Sequence, residues 1–248
     1  LRGFPPAPVS PIQSSSYPTV LFNAMVKPWT AFPIKGVIWY QGEANVGRSE
    51  QYGDLFPALI TDWRRQWRSD FPFYFVQLAN FMESKEIQPD SEWAALREAQ
   101  TKALKLDQVG MAVTIDIGLA DDIHPKNKQE VGRRLALVAL AGSYGKNVSS
   151  SAPVFQNYII KGNKMELDFG QKQDGFQIKG TTLKGFTIAG PDRVFYPAEA
   201  MVHDGKIILS STEVPAPLAA RYGWADNPDC NLYGENGLPV APFRTDCW

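Results

Sequence analysis

The 248 residues carry 25 basic and 26 acidic side chains, for a net charge of −1, with 44% hydrophobic and 12% aromatic content. A chain of this size buries roughly 70% or more of its unfolded surface, which excludes intrinsic disorder. The balanced charge excludes a nucleic-acid or membrane-surface binder driven by basic excess, and no apolar run approaches the ~20 residues of a membrane helix.

Residues 1–18 are rich in Pro and Ser without apolar periodicity and read as a linker or extended arm. The chain begins at Leu1 and shows no signal peptide, so either a leader has been removed or the sequence is a fragment. Lys35–Tyr40 is a short, continuously apolar strand. Ser49–Arg68 follows with Tyr52, Leu55, Phe56, Leu59, Ile60, Trp63 and Trp67 on one helical face. Trp63 and Trp67 read as core packing, and Pro57 inside the pattern predicts a kink or a late start. Phe73–Leu78 is the next strand, and Ser91–Leu106 the next helix, with Ser91 as N-cap and Trp93 near its start. Gly110–Ile115 is a third strand. Lys126–Tyr144 is a third helix, with Pro125 at its entry and Gly145 at its stop. Buried, non-alternating strands alternating with helices predict a parallel sheet covered on both faces.

Beyond about residue 148 the texture changes to short β-rich runs separated by turn signals. These are Val154–Ile160, Met165–Phe169, Gly175–Ile178, Phe186–Ala189 and Ile207–Ser210, with Gly162-Asn163 and His203-Asp204-Gly205 as turns. The expected organisation is therefore an arm at 1–18, an α/β domain at 19–148 and an antiparallel β-rich unit at 149–248.

In an open parallel sheet ligands bind beyond the carboxyl ends of the strands. Two unusual segments fall there: Trp39–Asn45, leaving the first strand, and Asp116–Pro125 between the third strand and its helix. In the latter, Asp121 and His124 have the D-x-x-H spacing at which a carboxylate can fold back onto one ring nitrogen and leave the other free as general base. A loop histidine among surface acids fits the spacing equally well. A metal set of Asp116, Asp121, Asp122 and His124 is the weaker alternative, because no second histidine lies nearby. In the former segment the Gln41 amide can donate to a developing oxyanion and Gly42 permits close backbone approach, with Glu43 and Asn45 placed to orient them. His203, in a hairpin turn, reads as structural. Cys230 and Cys247 flank a Gly/Pro-rich tail segment, and a disulfide between them is expected, worth ~3 kcal/mol for a loop of this size.

W-Y-Q-G-E-A-N at 39–45, F-P-F-Y-F-V-Q-L-A-N-F at 71–81, L-R-E-A-Q at 96–100 and D-D-I-H-P-K-N-K at 121–128 resemble the bacterial sialate O-acetylesterase family, one of the SGNH-type serine esterases. R-Y-G-W-A-D-N-P-D-C-N-L-Y at 221–233 and F-R-T-D-C-W at 243–248 are similar too, so the resemblance runs from about Thr19 to Trp248. It implies a three-layer, flavodoxin-like parallel sheet, incomplete at its N-terminus, with His124 as base, Asp121 as orienting acid and Gln41 in the oxyanion hole. Arg97, inside a family motif, would organise the site or contact substrate; an exposed helix arginine is the plain alternative. No metal or organic cofactor is implied. The family's nucleophile is a serine in an early G-Q-S-N- or G-D-S-like turn, and neither pattern occurs here. The serine is therefore expected from an N-terminal segment or second chain. The implied activity is removal of O-acetyl groups from sialic acid in the periplasm or outside the cell. An acetylxylan-type esterase and a non-catalytic carbohydrate-binding relative are the competing readings.

Overall fold

The computed structural model describes residues 17–170 and 175–248. The Pro/Ser-rich arm thus lies outside the described residues, apart from Tyr17 and Pro18. A π-helical turn (Phe22–Val26) and a short 3-10 helix (Lys27–Trp29) lead into the first strand.

Three strands, β1 (Val37–Trp39), β2 (Phe73–Val76) and β3 (Val109–Ala112), form a parallel sheet in the order β1-β2-β3. Val37 pairs with Phe73, and Phe73 with Val109. Helix α1 (Ser49–Trp67) runs unbroken through Pro57, and α2 (Glu92–Thr101) continues as a 3-10 turn (Lys102–Lys105). The expected N-cap is present: Ser91 Oγ accepts from Ala94 N at 3.0 Å, a contact worth ~1 kcal/mol. Helix α3 (Lys128–Gly142) starts on an Asn127 cap and stops just before Gly145, whose φ is +58°.

The period-2 alternation of β2 sorts the layers. Phe73 and Phe75 pack with Tyr52, Phe56 and Ile60 of α1 and with Trp93 and Leu96 of α2. Tyr74 and Val76, on the other face, pack with Val131, Leu135 and Val138 of α3. Truncating one of the fully buried phenylalanines would cost ~3–5 kcal/mol. The sheet is therefore covered on both faces, except at β1: Ile38, on the α3 side, is 70% exposed beside an edge that has no partner strand among the described residues.

The β-rich part contains β4 (Asn157–Lys161), β5 (Lys164–Asp168), β6 (Phe176–Ile178), β7 (Phe186–Ala189), β8 (Phe195–Pro197), β9 (Glu199–His203), β10 (Lys206–Ser210), β11 (Ala219–Tyr222), β12 (Leu232–Gly234) and β13 (Phe243–Arg244). They form antiparallel sheets β4-β5-β10-β9 and β13-β11-β7-β8 and a two-stranded β12-β6 pair. Met165, Leu167, Ile207 and Leu209 of the first sheet share one core with Phe186, Ile188, Ala220 and Tyr222 of the second, which makes a sandwich. The His203-Asp204-Gly205 signal is a hairpin turn, with Asp204 and Gly205 at φ +49° and +73°.

The Cys230–Cys247 disulfide expected from the sequence is absent; both cysteines are free. Cys230 is drawn beneath Gly185 and Gly223 against the core ring of Tyr222, and burial pushes its thiol up to about 12. Cys247 lies exposed beyond β13, on the chain end that Arg221 and Arg244 hold. Tail anchoring thus comes from charge rather than sulfur. Arg221 grips the buried Asp246 carboxylate at 2.9 and 2.6 Å, and Arg244 grips Glu98 of α2 at 2.8 Å twice.

Candidate active site

Because β1, β2 and β3 are parallel, the segments that leave their carboxyl ends share one edge of the sheet. Tyr40–Asn45, Gln77–Phe81 and Thr114–Pro125 meet there. The edge is built largely from amide side chains whose two ends differ in hydrogen-bond sense.

After β1 the chain turns through a 3-10 helix, Glu43–Asn45, with buried Gly42 against Leu78 and Gln100. Gln41 is fixed at both ends: its Nε2 donates to Asn45 Oδ1 at 2.7 Å and its Oε1 accepts from the Tyr52 hydroxyl at 3.1 Å. With Oε1 committed, Nε2 retains one N–H to offer to another acceptor. Gln100, fully buried on α2, ties this turn to the next strand exit. It accepts from Leu78 N at 2.9 Å and donates to Gln41 O at 3.2 Å. Gln100 closes the L-R-E-A-Q motif at 96–100, but its sequence position alone carries no signal of this role. Glu43 and burial raise the neighbouring Tyr40 phenol to about 12, burial being the larger cause. Lys128, in the first turn of α3, lies 4.8 Å from the Tyr40 ring centroid, which brings the start of α3 to the residue that precedes Gln41.

Arg97 is neither exposed nor open to a ligand: it is completely buried. Nε donates to Leu78 O at 2.8 Å, Nη1 to Ala225 O at 2.7 Å, and Nη2 to Ala79 O and Asp226 O at 2.9 and 2.8 Å. Burial lowers its pKa to about 9, which still leaves it charged at neutral pH. Its role is to bind the exit of β2 to the 225–226 segment of the β-rich part. Trp93 is also buried, its Nε1 donating to Ala79 O at 2.8 Å.

The His124 connection divides the acids found in the sequence. Asp116 accepts from Arg134 at 2.5 and 2.9 Å and from the Tyr233 hydroxyl at 3.1 Å. It is consumed by that cluster, so the four-residue metal set is not gathered. The acid beside the imidazole is Asp122, not Asp121. Asp122 Oδ1 accepts the His124 backbone N–H at 2.8 Å, and this local turn leaves the same oxygen 3.8 Å from Nδ1. Asp121 is exposed and makes no hydrogen bond or ion pair among the described residues. At 3.8 Å the Asp122–imidazole contact is longer than a hydrogen bond, and the ring is 88% exposed. The structure therefore brings Gln41, Gly42, Glu43, Asn45 and His124 to one edge, substitutes Asp122 for Asp121, and withdraws Arg97 into the interior. His203 stays in its hairpin, on the surface beside Asp204.

Residues 10–141 match the family described as carbohydrate esterase, sialic acid-specific acetylesterase. Over 95% of the chain it is 32% identical to sialate O-acetylesterase of Pongo abelii and 31% identical to that of Homo sapiens, covering 50% of each. It thus spans about half the length of the curated relatives it matches. A crystal structure of a carbohydrate acetylesterase from Xanthomonas citri superposes with a TM-score of 0.87 at 46% identity, over 93% of this chain and 55% of that one. The family match over residues 10–141 and the shared fold place this chain in the sialic acid-specific acetylesterase family of carbohydrate esterases.

Proposed function

We propose that this chain supplies the base and oxyanion side of an SGNH-type serine esterase that removes O-acetyl groups from sialic acid. The observation that carries the reading is the placing of the Gln41 turn and the His124 connection at the carboxyl edge of one parallel sheet, within a family of acetylesterases. The nucleophilic serine comes from a polypeptide segment beyond these 248 residues. The open edge of β1 and its uncovered Ile38 support docking of a further strand there, because an unpaired edge in a parallel sheet is ordinarily covered. The α/β part serves as the catalytic domain, the β-rich part as its support, and the setting is periplasmic or extracellular.

In the mechanism, the serine hydroxyl attacks the acetyl carbonyl while His124 takes its proton. The free N–H of Gln41 donates to the oxyanion of the tetrahedral intermediate. Collapse expels the sugar hydroxyl, to which His124 returns the proton. Water, deprotonated by the same imidazole, then attacks the acetyl-serine and releases acetate. Asp122 closes onto Nδ1 as the ring gains charge. No metal or organic cofactor enters.

The test is acetate release from O-acetylated sialic acid by the protein joined to its serine-bearing segment. His124→Ala should lose ~10²–10⁴-fold in kcat, the range of general acid–base contributions. Asp122→Asn should lose more than Asp121→Asn. An unchanged rate in His124→Ala refutes the mechanism. A second substrate reading rests on the higher identity to the Xanthomonas citri protein, whose description specifies only a carbohydrate acetylesterase. Faster release from acetylated xylan than from acetylated sialic acid would favour it. Sugar binding with no acetate release from either, serine segment present, would indicate a non-catalytic relative.

A further inference from the structure

The His124 ring has one neighbouring charged group and is otherwise open to solvent, so its position is set by the backbone that carries it. That backbone is held through Gly118–Ala120, four to six residues upstream. Gly118 N donates to Asn80 Oδ1 at 2.6 Å, Leu119 bridges to Phe81, and Met82 N donates to Ala120 O at 3.1 Å. The approach at Gly118 admits no side chain: a Cβ there would fall 1.8 Å from Asn80 O.

The Asn80 amide is the centre of this contact, and its orientation is decided elsewhere. Its Nδ2 donates to Asn227 Oδ1 at 2.7 Å, and Asn227 Nδ2 donates in turn to Met82 O at 2.7 Å. Met82 O can only accept, so Asn227 must present its nitrogen there and its oxygen to Asn80. Asn80 must then turn its nitrogen to Asn227 and its oxygen to the Gly118 amide. The relay has one consistent polarity. Its origin is rigid, because Asp226 accepts from Ser91 Oγ at 2.6 Å and from Gln88 Nε2, and its carbonyl accepts from Arg97 at 2.8 Å.

We infer that Asn227, which lies in the β-rich part, is a positioning residue for His124, acting through the Asn80 amide and the Gly118 backbone. The inference rests on the esterase reading for its catalytic meaning. Without Asn227, the Asn80 amide can rotate and offer N–H to N–H at Gly118, which releases the connection. A displacement of ~1 Å at a catalytic group costs on the order of 100-fold in rate.

The test uses two substitutions at the same atom. Asn227→Leu removes both ends of the relay, whereas Asn227→Asp keeps the oxygen that Asn80 needs. With only two histidines in the chain, His203 serves as internal reference for the imidazole resonances of His124. In Asn227→Leu the His124 resonances should shift, those of His203 should not, and exchange of the Gly118 amide should rise ~10-fold or more; Asn227→Asp, which keeps the oxygen facing Asn80 but loses the donor to Met82 O, should show smaller changes in both. Should Asn227→Leu fail to fold, Asn80→Ala breaks the relay from the other end and carries the same expectation. With the serine-bearing segment present, kcat for acetate release should fall about 10- to 100-fold in Asn227→Leu with KM nearly unchanged. His124 resonances and Gly118 exchange that stay at wild-type values overturn the inference, as do resonances that move without any change in kcat. A wild-type protein that releases no acetate counts against the esterase reading instead, and the resonance and exchange measurements still decide whether Asn227 positions His124.

Discussion

Replacing Arg97 by Met keeps the apolar stem and removes the guanidinium. Four carbonyl oxygens then lose a charged donor. Two keep another partner: Ala79 O retains Trp93 Nε1, and Asp226 O retains Phe81 N. Leu78 O and Ala225 O keep none in the buried interior, at ~1–3 kcal/mol each for an unsatisfied group. The variant regains the desolvation cost of burying a cation, several kcal/mol, against the loss of four charge-assisted bonds at ~1.5–3 kcal/mol each. The net loss should be about 3–5 kcal/mol, the range for breaking a buried ionic network. For a chain of this length, at ~2–4 °C per kcal/mol, Tm should fall by about 6–20 °C. Urea unfolding with an unchanged m-value and calorimetry both measure it. Arg97→Lys, with one nitrogen in place of three, should fall between wild type and Met. A loss below ~1 kcal/mol in Arg97→Met would refute the view that this side chain clamps the α/β and β-rich parts together.

Other consequences are open to simpler measurements. Hydrogen bonds from Arg133, then from Arg134, depress the Glu130 carboxyl from 4.5 to about 2. Its stabilisation is complete above the unfolded-state value and is lost as pH falls toward the folded one, so wild-type stability should decline between pH 4.5 and about 2 more steeply than that of Glu130→Gln. Parallel acid limbs for the two proteins would contradict this assignment. Thiol titration should find two free groups in denaturant. In the native protein Cys247 should react first, and Cys230, half-buried with its pKa raised to about 12, should lag. No titratable thiol in unreduced protein would restore the disulfide. Tyr233→Phe should destabilise by ~1–2 kcal/mol, since it removes a hydroxyl donor from the Asp116 carboxylate, and an unchanged urea midpoint would argue against that bond.

The α/β half was readable because its signals are long. α1 keeps an apolar stripe over five turns, and β2 is apolar at every position because both faces are covered. In the β-rich half, β8, β12 and β13 have only two or three residues each, too few to show alternation, and β12 pairs with β6, more than fifty positions upstream. Side-chain roles divide in the same way. Topology alone brings Gln41 and His124 to one edge. Arg97 read equally as an exposed helix arginine, because what makes its burial tolerable is four carbonyls from two remote segments. Asp121 and Asp122 are adjacent acids, and the D-x-x-H spacing does not show that Asp122 is the one that accepts the His124 amide. The two cysteines looked paired on spacing, yet the chain sends Cys230 toward the core and Cys247 to solvent.

The clasp between β13 and α2 has a temporal side. Arg244 and its partner Glu98 are 146 positions apart, and the same short stretch carries Asp246, which neutralises the buried Arg221. On a ribosome adding ~5–20 residues per second, Glu98 precedes Arg244 by roughly 7–30 s, far longer than helices and hairpins take to form. Toward the end of that interval, once Arg221 has been made, the sandwich still lacks its β13 edge and the Arg221 guanidinium has no counter-charge. Nascent chains stalled before residue 244 should therefore be the form that chaperones hold and proteases cut, while chains in which Arg244 and Asp246 have emerged should resist.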